Sequence, residues 1–254
     1  MTQNFKTLDD CRLFLKHKTL LVSIITKNVE HTITSVLSNV ERYTSLFKDY
    51  VCVVVDGHSS DNTYNLLMDW RTKDSLKRII LKQTSQGKSR PLMLSEARNM
   101  CIRLLERKFD ADTYLLILDA DEINAKPVDL DGFLSCWMYD KWDMMGANQT
   151  DEYYDIWALR NVECPYDCWD MVRLTGDEQK HVRNHQKPKP TDHPVIECLS
   201  CFGGSGVYNT DQLLGLQYYS FLPGNKEVCE HVTLHKQLTN RGGRLFINPR
   251  WINK

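Results

Sequence analysis

No apolar run in this chain approaches the roughly 20 residues that cross a bilayer. The amino terminus, Met1-Thr-Gln-Asn-Phe-Lys, is not a signal peptide. The expectation is a soluble, cytoplasmic protein with no membrane span. An excess of either charge is also missing: the formal net charge is −1, so nothing argues for a nucleic-acid partner or a polybasic membrane surface. Repeats, low-complexity tracts and a linker between independent domains are absent as well. A disulfide framework is missing despite nine cysteines, because they are scattered and several sit inside apolar runs such as Val51-Cys-Val-Val-Val55, as buried thiols do. One pattern stands apart. Cys164-x3-Cys168 with Cys198-x2-Cys201 has spacing that can form a four-thiolate zinc site, although the second pair lies in a strand-like segment, which favours core packing.

What is present is enough for one large α/β domain: 254 residues, 42% of them hydrophobic, can bury a real core. Four apolar runs, Leu20 to Ile25, Val51 to Val55, Arg78 to Leu81 and Tyr114 to Leu118, read as buried strands. Helix-length amphipathic stretches separate them. Ile33, Val36, Leu37, Val40 and Phe47 recur at helical spacing. Asp61 can cap a helix carrying Tyr64, Leu67 and Met68, and Pro91 suits the first turn of another whose inward face is Leu94, Ala97, Cys101, Leu104 and Leu105. Strand and helix alternating in this way predict a doubly wound, mostly parallel sheet flanked by helices. The second half differs. Trp142 to Ala147 and Tyr153 to Leu159 suggest short strands, His181 to Pro194 a loop, Gly203-Gly204-Ser205-Gly206 a turn, and Val228 to Asn240 a helix before a last strand, Leu245 to Ile247. This is a smaller strand-and-loop region that would shape an acceptor pocket.

Chemistry collects at the carboxyl ends of the first four strands, which share one edge in a parallel sheet. The first delivers Thr26, Asn28 and Glu30, and the second Asp56-Gly-His-Ser-Ser-Asp61. The third is followed by Gln86-Gly-Lys-Ser-Arg90, which includes Lys88, and the fourth by Asp119-Ala120-Asp121. Two carboxylates one residue apart can reach a single hard cation carrying a diphosphate, and a basic loop can approach phosphates. Arg98 lies on the inward stripe of its helix, where a lone guanidinium is costly unless it meets an anion. Its partner is either an internal carboxylate, or the diphosphate and the acids that grip it.

In that order, Leu21-Val-Ser-Ile-Ile-Thr, Val53-Val-Val-Asp-Gly-His-Ser-Ser-Asp-Asn-Thr63, Glu96-Ala-Arg-Asn99 and Leu118-Asp-Ala-Asp-Glu122 resemble the successive motifs of GT-A-fold glycosyltransferases, notably the family-2-like group. Tyr153-Tyr-Asp-Ile-Trp-Ala-Leu-Arg160 and Ser200-Cys-Phe-Gly-Gly204 are more loosely similar to capsule-type and large-DNA-virus glycosyltransferases. The resemblance implies a single GT-A domain over residues 1–254, with a nucleotide-sugar-binding half at 18–125 and an acceptor-binding half at 126–254. By the same resemblance Asp56 contacts the nucleotide base and Arg98 lies in the donor site. Asp119 and Asp121 hold ribose and Mn2+ or Mg2+, with Thr26, Asn28, Glu30, Lys88 and Ala120 lining the donor. Tyr154, Asp155, Trp157, Gly203 and Gly204 would meet the acceptor. The family's base motif falls on Glu230-His231, so Glu230 is the expected base and His231 its substitute. A late histidine that completes the metal shell would be His235, with His231 second.

The activity implied is metal-dependent transfer of a sugar from a nucleotide-diphosphate donor, most simply a uridine-linked one, to a hydroxyl of a glycan or glycoprotein. Three rivals are weaker. A P-loop enzyme needs a glycine five residues before Gly87, where position 82 is lysine. A sugar-nucleotide pyrophosphorylase-like nucleotidyltransferase would carry a glycine-rich loop after the first strand, where this chain has Thr26-Lys-Asn-Val-Glu30. A non-catalytic carbohydrate-binding protein is the third, and aromatics such as Tyr154, Trp157 and Trp169 would suit it.

Overall fold

The computed structural model describes residues 5–85, 87–187, 189–222, 224 and 226–253. Residues 1–4 of the amino-terminal reading, Gln86 of the basic loop and Pro188 of the segment 181–194 lie outside these. The chain opens with α1 (Leu8–Leu15), whose start Thr7 and Asp10 fix by a reciprocal capping box. Then β1 (Thr19–Thr26), α2 (Ile33–Thr44), β2 (Asp49–Asp56), α3 (Thr63–Thr72), β3 (Arg78–Lys82), α4 (Arg90–Leu105) and β4 (Thr113–Asp119) alternate. The second half supplies α5 (Leu130–Leu134), β5 (Met144–Asn148), α6 (Cys168–Thr175), β6 (Ile196–Cys198), β7 (Ser205–Asn209), β8 (Phe221–Leu222), β9 (Lys226–Glu227), α7 (Glu230–Asn240) and β10 (Leu245–Ile252).

Eight strands form one sheet in the order β3-β2-β1-β4-β7-β5-β10-β6, and β8 and β9 pair separately. The first four are parallel, as their apolar runs predict, because helices cover both faces. Leu20, Val22, Ile24, Cys52, Val54, Leu116 and Leu118 pack into one layer, and Leu21, Val53, Val55, Leu115 and Ile117 into the other. That alternation is the two-residue period of a strand. Register then levels the functional ends: Thr26 pairs with Asp56, and Ile25 with Asp119. β7 runs antiparallel to both β4 and β5, so the sheet is mostly parallel with an antiparallel insertion.

Several local expectations are corrected. Residues Tyr153 to Leu159 form turns rather than a strand; their buried members Tyr153, Ile156, Ala158 and Leu159 do not follow a two-residue period, and only Arg160 bridges to Ser200. The segment 181–194 begins inside a π-helical turn, Gln179–Arg183, that buries His181 and Val182. On α4 the inward stripe is Ala97, Arg98, Cys101, Ile102 and Leu105, while Leu104 is largely exposed. Phe47 is buried beyond the end of α2. Asn62, not Asp61, precedes α3, though the Asp61 carboxylate still accepts the Thr63 N–H at 3.0 Å. α7 starts two residues late, and β10 runs on past Ile247 through a bulge. All nine thiols are free and buried. Among the described residues no three histidine, cysteine or acidic side chains gather closely enough to hold a metal, so the two cysteine pairs form no zinc site.

Candidate functional site

The acidic pair is held from behind by the turn that feeds β7. Gly203 and Gly204 both adopt left-handed backbone, at φ 65° and 76°. The Gly204 carbonyl accepts the Asp119 N–H at 2.9 Å and the Asn124 side-chain amide at 2.8 Å. The same Asn124 amide donates to the Asp119 carbonyl at 2.9 Å, and its oxygen accepts the Ser205 hydroxyl at 2.7 Å. A Cβ on Gly203 would lie 2.2 Å from the Ala147 carbonyl oxygen, and one on Gly204 would lie 2.7 Å from Ile123. These glycines therefore buttress the acidic loop and do not line the cavity where the acceptor was expected. Asn124 was missed in the sequence because one asparagine after an acidic pair looks like any turn residue.

In front of this loop opens a cavity of about 970 Å³. Thr26, Asn28, Lys88, Arg98, Asp119, Ala120 and Asp121 line it, together with Tyr154, Asp155, Trp157, Glu230 and His231. Gln83 and Gln186, which no sequence pattern singled out, also line it, and Trp169 faces it from α6. Two residues expected at the donor, Asp56 and Glu30, are not among those that line the cavity. Asp56 lies beneath the surface, its carboxylate accepting the Ser59 N–H at 3.0 Å and the hydroxyls of Ser59 and Thr26. Glu30 points along the outside and accepts the Asn62 N–H at 2.8 Å. Both carboxylates shape the loops around the cavity rather than its wall.

Arg98 is the electrostatic centre of this site. It is 3% exposed, with Nη2 2.9 Å from Asp119 Oδ1 and Nε 2.9 Å from Glu230 Oε1. Both partners are carboxylates of the protein itself, and one of them is an acid of the pair. Burial works against its charge, but Asp119 and Glu230 outweigh burial and hold the guanidinium ionised. Asp119 is pushed up to about 6, first by burial and then by Asp121, with Arg98 opposing. Asp155 is pushed up to about 7 by burial and by the charge of Asp119. The Tyr154 hydroxyl donates to Asp121 Oδ2. His231 is stacked on Phe202 at 3.8 Å, and burial together with Arg98 keeps it neutral.

His235 is not brought to the acidic pair. Fully buried, it hydrogen-bonds Ser200 through Nδ1 and Tyr208 through Nε2, each at 2.9 Å, and burial pushes its pKa down to about 3. Spacing of four residues put His231 and His235 on one side of α7, but the cavity meets only the first of them. The residues present still fit a divalent cation. Asp119 and Asp121 offer hard oxygen donors, and two carboxylates without a third protein ligand suit a metal whose remaining positions go to phosphate and water.

Residues 21–133, from β1 through α4 and the acidic pair to α5, match the family described as glycosyl transferase family 2. Over this stretch, 113 of the 254 residues, the chain is similar to family 2 glycosyltransferases. Solved glycosyltransferase structures are similar to this chain at low identity. S. aureus TarS (1–349) aligns at a TM-score of 0.50 and 12% identity, over 92% of this chain and 59% of that one. Glucosyl-3-phosphoglycerate synthase from Mycobacterium tuberculosis, in complex with uridine-diphosphate, aligns at 0.49 and 16% over 94% and 72%. The mannosyltransferase PcManGT from Pyrobaculum calidifontis, in complex with GDP-Man and Mn2+, aligns at 0.48 and 13% over 94% and 62%. No curated protein matches the glycosyltransferase. None of its helices among the described residues is long and apolar enough to cross a membrane.

Proposed function

We propose that this glycosyltransferase moves a sugar from a nucleotide-diphosphate donor, uridine-linked in the first instance, to a hydroxyl of a glycan or glycoprotein acceptor. The observation that carries this reading is the placement of Asp119 and Asp121 at the carboxyl end of β4, opening on one cavity with a basic side and an aromatic side. Lys27, Lys88 and Arg90 give the first side a charge suited to a diphosphate. Tyr154, Trp157 and Trp169 give the second flat apolar faces suited to a sugar ring. Trp157 is held there by its Nε1–H, which donates to Asp167 at 3.2 Å.

Asp119 and Asp121 would hold Mn2+ or Mg2+, which when bound neutralises the departing diphosphate. Arg98 fixes the carboxylate of Asp119 and so sets its orientation before the donor arrives. Asn28 is itself braced, its Oδ1 accepting the Ser60 N–H at 2.8 Å, which positions the loop after β1 beside the donor. The test is turnover of nucleotide-diphosphate sugars with and without Mn2+, set against consumption of nucleoside triphosphates. Metal-dependent release of nucleoside diphosphate supports the reading. Consumption of triphosphates and sugar phosphates instead would place the chain among nucleotidyltransferases.

A further inference from the structure

We propose that Asp155, not Glu230, is the general base that takes the proton from the acceptor hydroxyl; this rests on the transfer reaction proposed above. Glu230 occupies the place that the order of motifs gives to a base, but its carboxylate is committed. It is 3% exposed and its Oε1 is paired with Arg98 Nε at 2.9 Å. Protonating it would remove one of the two counter-charges of a buried guanidinium, which is costly. His231 is no better placed, since its ring lies stacked on Phe202 and a second cation there would face Arg98.

Asp155 has the geometry the other two lack. It follows Tyr154, whose hydroxyl meets Asp121, and precedes Trp157 on the aromatic side of the cavity. Its Oδ1 accepts the Ala158 N–H at 3.1 Å, which locks the carboxylate in one orientation. Its Oδ2 has no protein partner among the described residues, while the side chain lines the cavity. A fixed carboxylate with one free oxygen, between a sugar-binding face and the metal-binding pair, is what proton removal from a bound hydroxyl requires. The charged groups acting on it are Asp119 from β4, Glu230 from α7 and Arg98 from α4. The neighbouring Tyr153, Tyr154, Cys201 and Cys229 are all held protonated by burial. Burial and Asp119 together set Asp155 near 7, where a base is half ionised at working pH.

In the step itself the acceptor oxygen bonds to the anomeric carbon of the donor as its proton passes to Asp155 Oδ2. The bond from that carbon to the diphosphate oxygen breaks, and its electron pair leaves on the diphosphate. Asp155 then returns the proton to solvent.

The experiment uses the full chain with Mn2+ and a panel of uridine, guanosine and thymidine diphosphate sugars, reading nucleoside-diphosphate release against pH with water or a glycan acceptor. Wild type should lose rate along an acidic limb, because a protonated Asp155 cannot take the acceptor's proton. Asp155→Asn, which keeps an oxygen for the Ala158 N–H, should lower the rate by roughly a hundredfold or more and flatten that limb, with UDP–Mn2+ affinity and melting temperature retained. Asp155→Glu should restore part of the rate and the limb. Glu230→Gln should weaken UDP–Mn2+ binding and lower the melting temperature while the acidic limb persists. A near-normal rate in Asp155→Asn, or loss of the limb in Glu230→Gln alone, overturns the assignment and leaves the transferase reading intact. Absence of any nucleotide-sugar turnover by the wild type overturns both.

Discussion

Arg98 Nη2 lies 2.9 Å from Asp119 Oδ1, so the helix after β3 and the strand that ends in the acidic pair are joined by a buried ion pair at the cavity. Since Nε of the same guanidinium holds Glu230 at 2.9 Å, α7 is tied into the same contact. The acidic pair, α4 and α7 therefore share one cation.

Removing that cation leaves two carboxylates close together with no counter-charge. Arg98→Ala is expected to destabilise the fold by about 3–5 kcal/mol and to weaken UDP–Mn2+ binding as well. Denaturant titration and calorimetry on the same variant read the two effects. A large stability loss with unchanged nucleotide affinity would reduce Arg98 to an internal ion-pair residue.

Asp121→Asn should abolish turnover with little change in melting. Among the described residues the Asp121 side chain accepts only the Ile123 N–H at 3.3 Å and the Tyr154 hydroxyl, and asparagine can keep the first of these. Full activity of the wild type in excess chelator would remove the metal from the reading.

The raised pKa of Asp119 gives a pH dependence with a definite sign. Its folded value, about 6, exceeds the ordinary 3.8, so the fold favours the neutral acid. The stability this contributes is fully present below 3.8 and is lost as pH rises through about 6. A divalent cation prefers the ionised form, so added Mn2+ should raise the melting temperature more at pH 8 than at pH 5, two values chosen on either side of about 6. Equal thermal gains at the two pH values would contradict it.

Gly203→Ala should be more damaging than Gly204→Ala. The new methyl at 203 would meet the backbone oxygen of Ala147 at 2.2 Å, whereas at 204 it would meet the Ile123 side chain at 2.7 Å, which can shift. With left-handed backbone at both, losses of roughly 1–3 kcal/mol are expected at Gly204 and more at Gly203. Because the Gly204 carbonyl holds the Asp119 N–H, activity should fall further than stability alone predicts. Denaturation midpoints alongside specific activity decide this.

The first half of the fold was legible because its strands are continuous apolar runs buried on both faces and its helices fill the gaps between them. Their polar ends then fell on one edge by topology alone. The second half was not, because β7 enters between β4 and β5 from more than eighty residues away, and no local pattern announces an antiparallel insertion. That Arg98, Asp119 and Asp121 would line one cavity was readable from charge in apolar context. His235 misled because helical spacing says which residues share a face but not whether that face meets cavity or core. Asp56 and Glu30 misled for a related reason: a carboxylate at a strand end serves equally to brace the next loop.

The antiparallel entry of β7 also orders events in time. Asn253 donates to the Gly203 carbonyl at 2.8 Å and to Ser205 at 3.0 Å, and Gln149 reaches Gly203 and Asn253 in turn. The clasp behind Asp119 thus needs residues more than 130 positions further along the chain. Contacts of such separation form late, after local strand–helix units have condensed. During synthesis the nucleotide-facing half can collapse while the acidic loop remains unlatched.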